Sequence, residues 1–251
     1  MEPIVIGLNA HSMTGQRKRR SDYGVVRATE RDVFLLTWIG EQFALQLDQL
    51  LALMNRWKQD EEPDWGPGSL SDETVKWLLK RWDRAGWVEH RKLLAGRPQW
   101  VWLLKAGLAD MGLEYPYMVP SVGRLNHLYL VNAVRLHIER QRPGQVQWTS
   151  ERRVNVERKA EGKHHLVDGE LLFQEKLIAI EVEHTQKSRR RMNSIVQELK
   201  RDYEAVWYFV SDQANTVVKE AITRVEGTRR EEDWNTFVVY PIVQALQDQG
   251  R

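Results

Sequence analysis

Hydrophobic positions recur at helical spacing in the first part of the chain. They predict two short helices over 31–40 and 47–57, and a third that begins after Ser71 and stops at Gly86. Ser71 is a suitable N-cap, because it is followed at once by two acids that favour the positive end of a helix. One face of the third helix is apolar and is expected to be buried: Val75, Leu78, Leu79 and Trp82.

Two β-prone runs follow, at 87–94 and 99–104, and the Gly/Pro-containing stretch between them predicts a hairpin. A short helix is predicted over 105–113. The order helix, helix, helix, hairpin is typical of a winged helix-turn-helix, whose third helix enters the major groove of DNA. The tryptophans of this region are expected to pack in its core: Trp77, Trp82, Trp87, Trp100 and Trp102.

The second part of the chain has a different pattern, and the proline-containing stretch 113–124 predicts a linker before it. Helices are predicted at 126–141, 188–203 and 212–227; β-prone segments are 145–157, 164–174, 176–184, 204–210 and 234–242. The run at 204–210 is almost wholly apolar, which indicates a central strand. We therefore expect an α+β winged helix over 29–112, then an α/β domain with a mixed central sheet over 125–251. Residues 1–28 form a basic arm in this scheme.

Composition limits the function classes. The 251 residues include no cysteine, which excludes disulfides and thiolate metal sites and favours a reducing, cytoplasmic setting. No apolar run is long enough to cross a bilayer, so no membrane partner is expected. The formal net charge is only +2, yet cations cluster at 17–20, along the third helix, and over 187–201. Each cluster alone could be a solvated face, whereas three together favour contacts with phosphates.

The winged-helix pattern predicts DNA contacts from the third helix and the hairpin. The candidates are Ser71, Thr74, Lys76, Lys80, Arg81 and Arg84 on the helix, and Arg91 and Lys92 on the hairpin. A basic helix in the second domain adds Arg189, Arg190 and Arg191. DNA is therefore the predicted partner, and two-fold recognition of DNA would allow a homodimer.

Carboxylates on adjacent strands form the candidate catalytic and metal site. Asp168 lies early on one strand, and Glu181 and Glu183 share a face of the next strand, since side chains repeat every two residues. Burying acids on an apolar strand is costly unless they bind a cation or a partner. Their hard oxygens suit Mg²⁺ or Mn²⁺, and Lys187 could contact a scissile phosphate.

The acids Asp168 and Glu181, followed by a basic helix and a hydrophobic strand, resemble the PD-(D/E)xK, or restriction-endonuclease-like, superfamily. More narrowly, roughly residues 29–212 resemble the replication-relaxation family of plasmids and integrated mobile elements. The most particular matching segment is "EVEHTQKS", at 181–188. The resemblance implies a role in plasmid or mobile-element replication or transfer, with other replication or transfer proteins as partners.

Two positions depart from the nuclease motif. Val167 replaces the usual proline, and Glu183 stands where the motif has its lysine. Lys187 could substitute for that lysine, and Glu151 could be the additional acid that many members supply. The sequence leaves three alternatives: a DNA-binding protein with a degenerate nuclease-like domain, an active Mg²⁺-dependent endonuclease or nickase, or a transcriptional regulator whose C-terminal domain mediates dimerisation.

Overall fold

The computed structural model describes residues 27–62, 70–158, 165–227 and 237–247. The predicted basic arm, including the cations at 17–20, lies outside these ranges except for its last two residues. Within the described ranges, no helix combines the length and the apolar character that a membrane crossing requires.

The predicted helices and hairpin of the first part are present. In chain order the elements are α1 (Glu30–Glu41), β1 (Leu45–Gln46), α2 (Leu47–Glu61), α3 (Asp72–Arg84), β2 (Val88–Arg91), β3 (Trp100–Leu103) and α4 (Lys105–Asp110). Strands β2 and β3 form the antiparallel hairpin, and the short β1 adds to β3 on the other side. Gly86 ends the third helix as predicted, with a φ of 72° that suits a glycine. Ser71 is the N-cap residue, although its side chain makes no capping hydrogen bond.

Apolar residues from all three helices and the hairpin form one core, and Leu35, Leu78 and Val101 are wholly buried in it. Four of the five tryptophans predicted to be internal are buried: Trp82, Trp87, Trp100 and Trp102. The prediction for Trp77 is wrong, because its side chain is 62% exposed. It lies between Lys76 and Leu78, just outside the apolar face that α3 turns to the core.

The second part contains a five-stranded mixed sheet with helices. Its elements are α5 (Val122–Gln141), β4 (Val146–Ser150), α6 (Glu151–Arg158), β5 (Gly169–Phe173), β6 (Lys176–Glu183), α7 (Arg189–Asp202), β7 (Ala205–Val210), α8 (Asp212–Glu226), β8 (Phe237–Pro241) and α9 (Val243–Gln247). The strand order is β4-β5-β6-β7-β8, with β4, β5 and β6 antiparallel and β6, β7 and β8 parallel. The predicted combination of helices with a mixed sheet is therefore confirmed.

The structure differs from the predicted elements at three places, besides the two-residue strand β1, which had no prediction. Helix α5 begins at Val122, inside the stretch interpreted as linker. The β-prone segment 145–157 is a strand only up to Ser150 and continues as helix α6, because the Ser150 hydroxyl accepts the Arg153 amide at 3.3 Å and starts a helical turn. The short helix α9 had no prediction.

Helix α5 joins the two parts of the molecule through buried polar contacts. The carboxylate of Glu139 on α5 accepts hydrogen bonds from Arg135 at 2.8 Å, from Trp38 of α1 at 3.2 Å, and from Arg56 of α2. Asn132 accepts a hydrogen bond from Gln42 at 3.2 Å. Buried polar groups that satisfy one another in this way fix a specific arrangement. Helix α5 therefore holds the helix–hairpin unit in a defined position against the sheet.

Candidate functional site

The predicted acids meet where β5 begins and β6 ends. Asp168 directly precedes β5, and its amide donates to the carbonyl of Ile180 at 3.1 Å, although Ile180 is paired with Gly169 in the sheet, so the chain leaves the regular register at Asp168. Along β6, Ile178, Ile180 and Val182 enter one hydrophobic core, whereas Ala179 enters the core on the opposite face of the sheet. Glu181 and Glu183 share the face of Ala179 by strand alternation, as predicted.

Asp168 is held by two donors. Its Oδ1 lies 2.7 Å from Nε2 of His127 on α5, and its Oδ2 accepts the backbone amide of Val182 at 2.7 Å. Burial by itself would lower the pKa of His127, but the hydrogen bond to Asp168 and the charge of that carboxylate outweigh it and raise the pKa. The His127 ring also lies 5.7 Å from the ring of His184, centroid to centroid. Asp168 is therefore held both by a side chain of helix α5 and by the backbone of strand β6.

Glu181 is only 4% exposed, and its Oε1 lies 3.0 Å from Nε2 of His165. Burial raises the pKa of Glu181 to about 7, and the Asp168 carboxylate adds to the rise, while the hydrogen bond from His165 opposes it. For His165, burial lowers the pKa, but the bond to Glu181 reverses the direction and raises it. Glu181 and His165 therefore form a hydrogen-bonded acid–base pair beside β6.

Glu183 is also 4% exposed and accepts a hydrogen bond from Lys187 Nζ. Lys187 precedes α7, whose N-cap Ser188 accepts the Arg191 amide at 3.3 Å. The turn between β6 and α7 thus brings this lysine back to the strand, where it contacts Glu183, so two predicted site residues are joined.

Glu151, the candidate additional acid, lies apart from the Glu183–Lys187 pair. It forms an ion pair with Arg124, whose Nη2 donates to both carboxylate oxygens, at 2.8 and 3.0 Å.

The three carboxylates do not form a ready metal site. Oxygen donors of this kind suit Mg²⁺ or Mn²⁺. However, each carboxylate already accepts a hydrogen bond from a neighbouring side chain, namely His127, His165 or Lys187. In the part of the chain that the structure describes, no three or more acidic or histidine side chains are grouped so that they could hold a metal ion. The arrangement therefore does not fit the predicted ion without movement of these partners.

The predicted site did not include His127 or His165. His127 lies 41 residues before Asp168, on a helix interpreted only as an amphipathic cover. His165 lies just before the strand, where its side chain cannot be assigned a direction from periodicity. Only the tertiary fold brings His127 to the site.

The predicted cations of α3 divide into two groups. Lys76, Lys80 and Arg84 are exposed on the same side as Trp77. Arg81, by contrast, donates to the buried carboxylate of Asp32 at 2.7 Å and to the Arg27 carbonyl at 2.7 Å.

The side chain of Arg81 is 18% exposed. The Asp32 carboxylate of α1 holds its guanidinium, so Arg81 has a partner within the first part of the chain, and its contact with DNA stays a prediction. Ser71 is exposed and Thr74 half-buried at the start of the helix, with their hydroxyls 3.4 Å apart.

The other predicted cations lie on the hairpin and on α7. Arg91 and Lys92 are exposed at the end of β2, and the Arg91 guanidinium lies 5.3 Å from the centre of the Trp102 ring. Helix α7 buries Met192, Ile195, Val196 and Leu199 and leaves Arg189, Arg190 and Arg191 exposed in its first turn. Arg189 pairs with Glu220 of α8 at 3.2 Å. The structure thus presents two separate basic surfaces, one on each part of the chain.

No protein-family model, no curated protein and no solved structure matches this chain. What the protein does is therefore inferred from its own residues: the basic surface of α3, the paired acids of β6, and the groups around them.

Proposed function

We propose that this chain is a DNA-binding protein of plasmid or mobile-element replication or transfer. In this proposal the first part is a winged helix, and the second part is a restriction-endonuclease-like domain that no longer cuts. The observation that carries it is the exposed face of α3, where Lys76, Trp77, Lys80 and Arg84 project from the third helix of a three-helix and hairpin unit.

The geometry suits a duplex. Lys76, Lys80 and Arg84 follow one another at intervals of four residues, so they form a line of positive charge along one side of α3. A helix of 13 residues fits the major groove, and the cations at its edge would contact phosphates while the middle of the helix faces the bases. The exposed Arg91 and Lys92 of the hairpin would then lie against the backbone.

A second candidate function, metal-dependent DNA cleavage, is favoured by the convergence of Asp168, Glu181 and Glu183 at adjoining strand ends, with Lys187 beside them. These residue types suit Mg²⁺ or Mn²⁺ and a phosphodiester substrate. The hydrogen bonds that already occupy the three carboxylates favour the non-cutting alternative. The two functions share the DNA-binding surface and differ only in what the acids do.

An assay with supercoiled plasmid distinguishes DNA binding without cleavage from metal-dependent DNA cleavage. We expect the full chain to retard the plasmid in a gel and to leave it uncut with Mg²⁺ or Mn²⁺, because the carboxylates are held by protein donors. Asp168→Ala and Glu181→Ala are the comparison variants, and they should retard DNA like the wild type. Nicking or linearisation by the wild type that disappears in both variants would establish the endonuclease instead. Failure to retard any DNA would contradict the proposed function itself.

Trp77→Ala tests the face of α3. The exposed indole makes little contribution to the core, so we expect unchanged thermal unfolding but about tenfold weaker DNA binding, equivalent to about 1.4 kcal/mol, since a large side chain would be lost from the face of α3 that meets the duplex. Fluorescence anisotropy of a labelled duplex measures the affinity. Val33→Ala, which truncates another exposed apolar side chain on α1, is the matched control. Equal affinities for the wild type and Trp77→Ala would remove this face from the interface.

A further inference from the structure

A cavity of about 300 Å³ opens beside Asp168, between the end of α1 and the start of β5. Residues from both parts of the chain line it. They include Phe43, Tyr115, Met118, His127, Asn155 and Asp168. A concave site at the junction of two structural units, with mixed apolar and polar walls, is a usual place for a small ligand.

One wall of the cavity is aromatic and rigid. The Arg152 guanidinium lies 5.2 Å from the centre of the Phe43 ring and 4.2 Å from that of Tyr115. The same guanidinium donates to the carbonyls of Gly40 at 2.6 Å and Pro116 at 3.1 Å, so it fixes both rings through their neighbouring backbone. Phe43 has a φ of 77°, which is rare for a bulky residue and is maintained here by its surroundings.

The mouth of the cavity leaves apolar and polar groups free to meet a ligand. Met118 and Val156, both in the lining, are 56% and 57% exposed. The neighbouring Asn155 amide is also exposed, and it has no side-chain hydrogen-bond partner within the described part of the chain. An amide carries both a donor and an acceptor, as the edge of a nucleobase does.

Part of the cavity lining is charged. His127 and Asp168 line it as a hydrogen-bonded pair, and Arg124 lines it in its ion pair with Glu151. The Arg124 side chain is 59% exposed, so it can exchange a carboxylate for another anion at little cost. An anionic group on a ligand would therefore meet Arg124 and His127 in this part of the lining, next to Asp168 of the candidate site.

We propose that this cavity binds a single nucleotide, with the base between the aromatic wall and the exposed Asn155 amide, and the phosphate toward Arg124 and His127. Flat rings stack on aromatic side chains whatever the base, and pockets that receive an extruded base combine such stacking with hydrogen bonds to its edge. The choice of a nucleotide rests on the proposed function, because it assigns Asp168 and its neighbours to a nucleic-acid site. An extruded nucleotide of a bound strand and a free nucleotide share this chemistry.

The test uses the full chain and the four deoxynucleoside 5′-monophosphates, titrated by isothermal calorimetry. We expect saturable binding of at least one of them, with a dissociation constant on the order of 0.1–1 mM for so small a ligand. Val156→Trp places a large ring at the mouth without touching the core, and it should weaken binding by about tenfold or more, equivalent to about 1.4 kcal/mol. Val33→Trp, an equally large addition at an exposed site on α1 outside the cavity, should leave binding unchanged.

A second measurement identifies the source of the nucleotide. The fluorescence of 2-aminopurine in an oligonucleotide rises when this base leaves its stack. A rise in fluorescence with the wild type that is absent with Val156→Trp would show that the cavity binds a nucleotide of a DNA strand. Binding of the free monophosphates without that rise would identify a free nucleotide. Either result supports the site.

Absence of saturable binding for all four nucleotides, or equal binding by Val156→Trp, overturns the inference. Gel retardation with the same samples reports separately on the proposed function. Retarded DNA together with no nucleotide binding would overturn the cavity alone, whereas nucleotide binding without retardation would overturn DNA binding through α3.

Discussion

Replacing Asp32 with asparagine is expected to lower the free energy of unfolding by about 3 kcal/mol, because it leaves a largely buried cation without its partner. Asp32 is wholly buried in α1 and accepts hydrogen bonds from Arg81 at 2.7 Å and from the Trp82 indole at 2.9 Å. It also caps its own helix, since its carboxylate accepts the Thr29 amide and the Thr29 hydroxyl, each at 2.8 Å. Urea unfolding followed by tryptophan fluorescence measures the loss.

The same substitution should change how stability depends on pH. Burial opposes ionisation of Asp32, but the hydrogen bonds from Thr29, Trp82 and Arg81 outweigh it and lower its pKa in the folded chain. Because the pKa is lowered, the ionised Asp32 carboxylate stabilises the folded chain at pH values above its unfolded pKa of about 4. This stabilisation is lost as the pH falls through the folded pKa. The difference in the free energy of unfolding between wild type and Asp32→Asn should therefore be largest at pH 7 and decrease in acid.

Asp72→Asn is the matched control, since it makes the same chemical change at an exposed position in the first turn of α3. It should cost no more than about 0.5 kcal/mol. Equal losses for the two variants, or a loss for Asp32→Asn that does not change between pH 7 and pH 3, would show that the buried cluster does not stabilise the fold in this way.

Local spacing was enough to predict much of this fold. Val75, Leu78, Leu79 and Trp82 repeat at helical spacing, and these four side chains form the buried face of α3. The alternation in β6 placed Glu181 and Glu183 on one face, since a strand allows only two directions for a side chain. Where one element decides the environment of a residue, its neighbours in sequence suffice to predict it.

Contacts between distant elements could not be predicted in this way. Arg81 has the same sequence environment as Lys80, yet a carboxylate 49 residues away holds it. His127 reaches Asp168 across 41 residues, and no pattern near either residue announces the pair. Trp77 was assigned to the core from its chemistry alone, although its angular position on α3 lies at the edge of the apolar face. The candidate site depends on contacts between distant elements. Its acids could therefore be predicted from the sequence, but the side chains that hold them could not.

Reversing three charges on α3 should have the largest effect on DNA binding. In Lys76→Glu, Lys80→Glu, Arg84→Glu, we expect the affinity for duplex DNA to fall about a hundredfold or more at physiological salt, because three phosphate contacts are lost and repulsion replaces them. The slope of log affinity against log salt should also fall in magnitude by about 3. All three side chains are exposed, so the fold should survive, which circular dichroism and thermal unfolding can verify.

A second triple variant separates a specific surface from the charge of the whole molecule. Arg140→Glu, Lys219→Glu, Arg224→Glu changes the net charge equally, at exposed positions on α5 and α8 that lie outside the predicted DNA surfaces. If α3 enters the groove, this control variant should bind duplex DNA within about threefold of the wild-type affinity. It should also keep most of the slope of log affinity against log salt, because charges farther than about 10 Å from the DNA are screened. Equal losses in both variants would mean that bulk charge, and not the face of α3, holds the DNA.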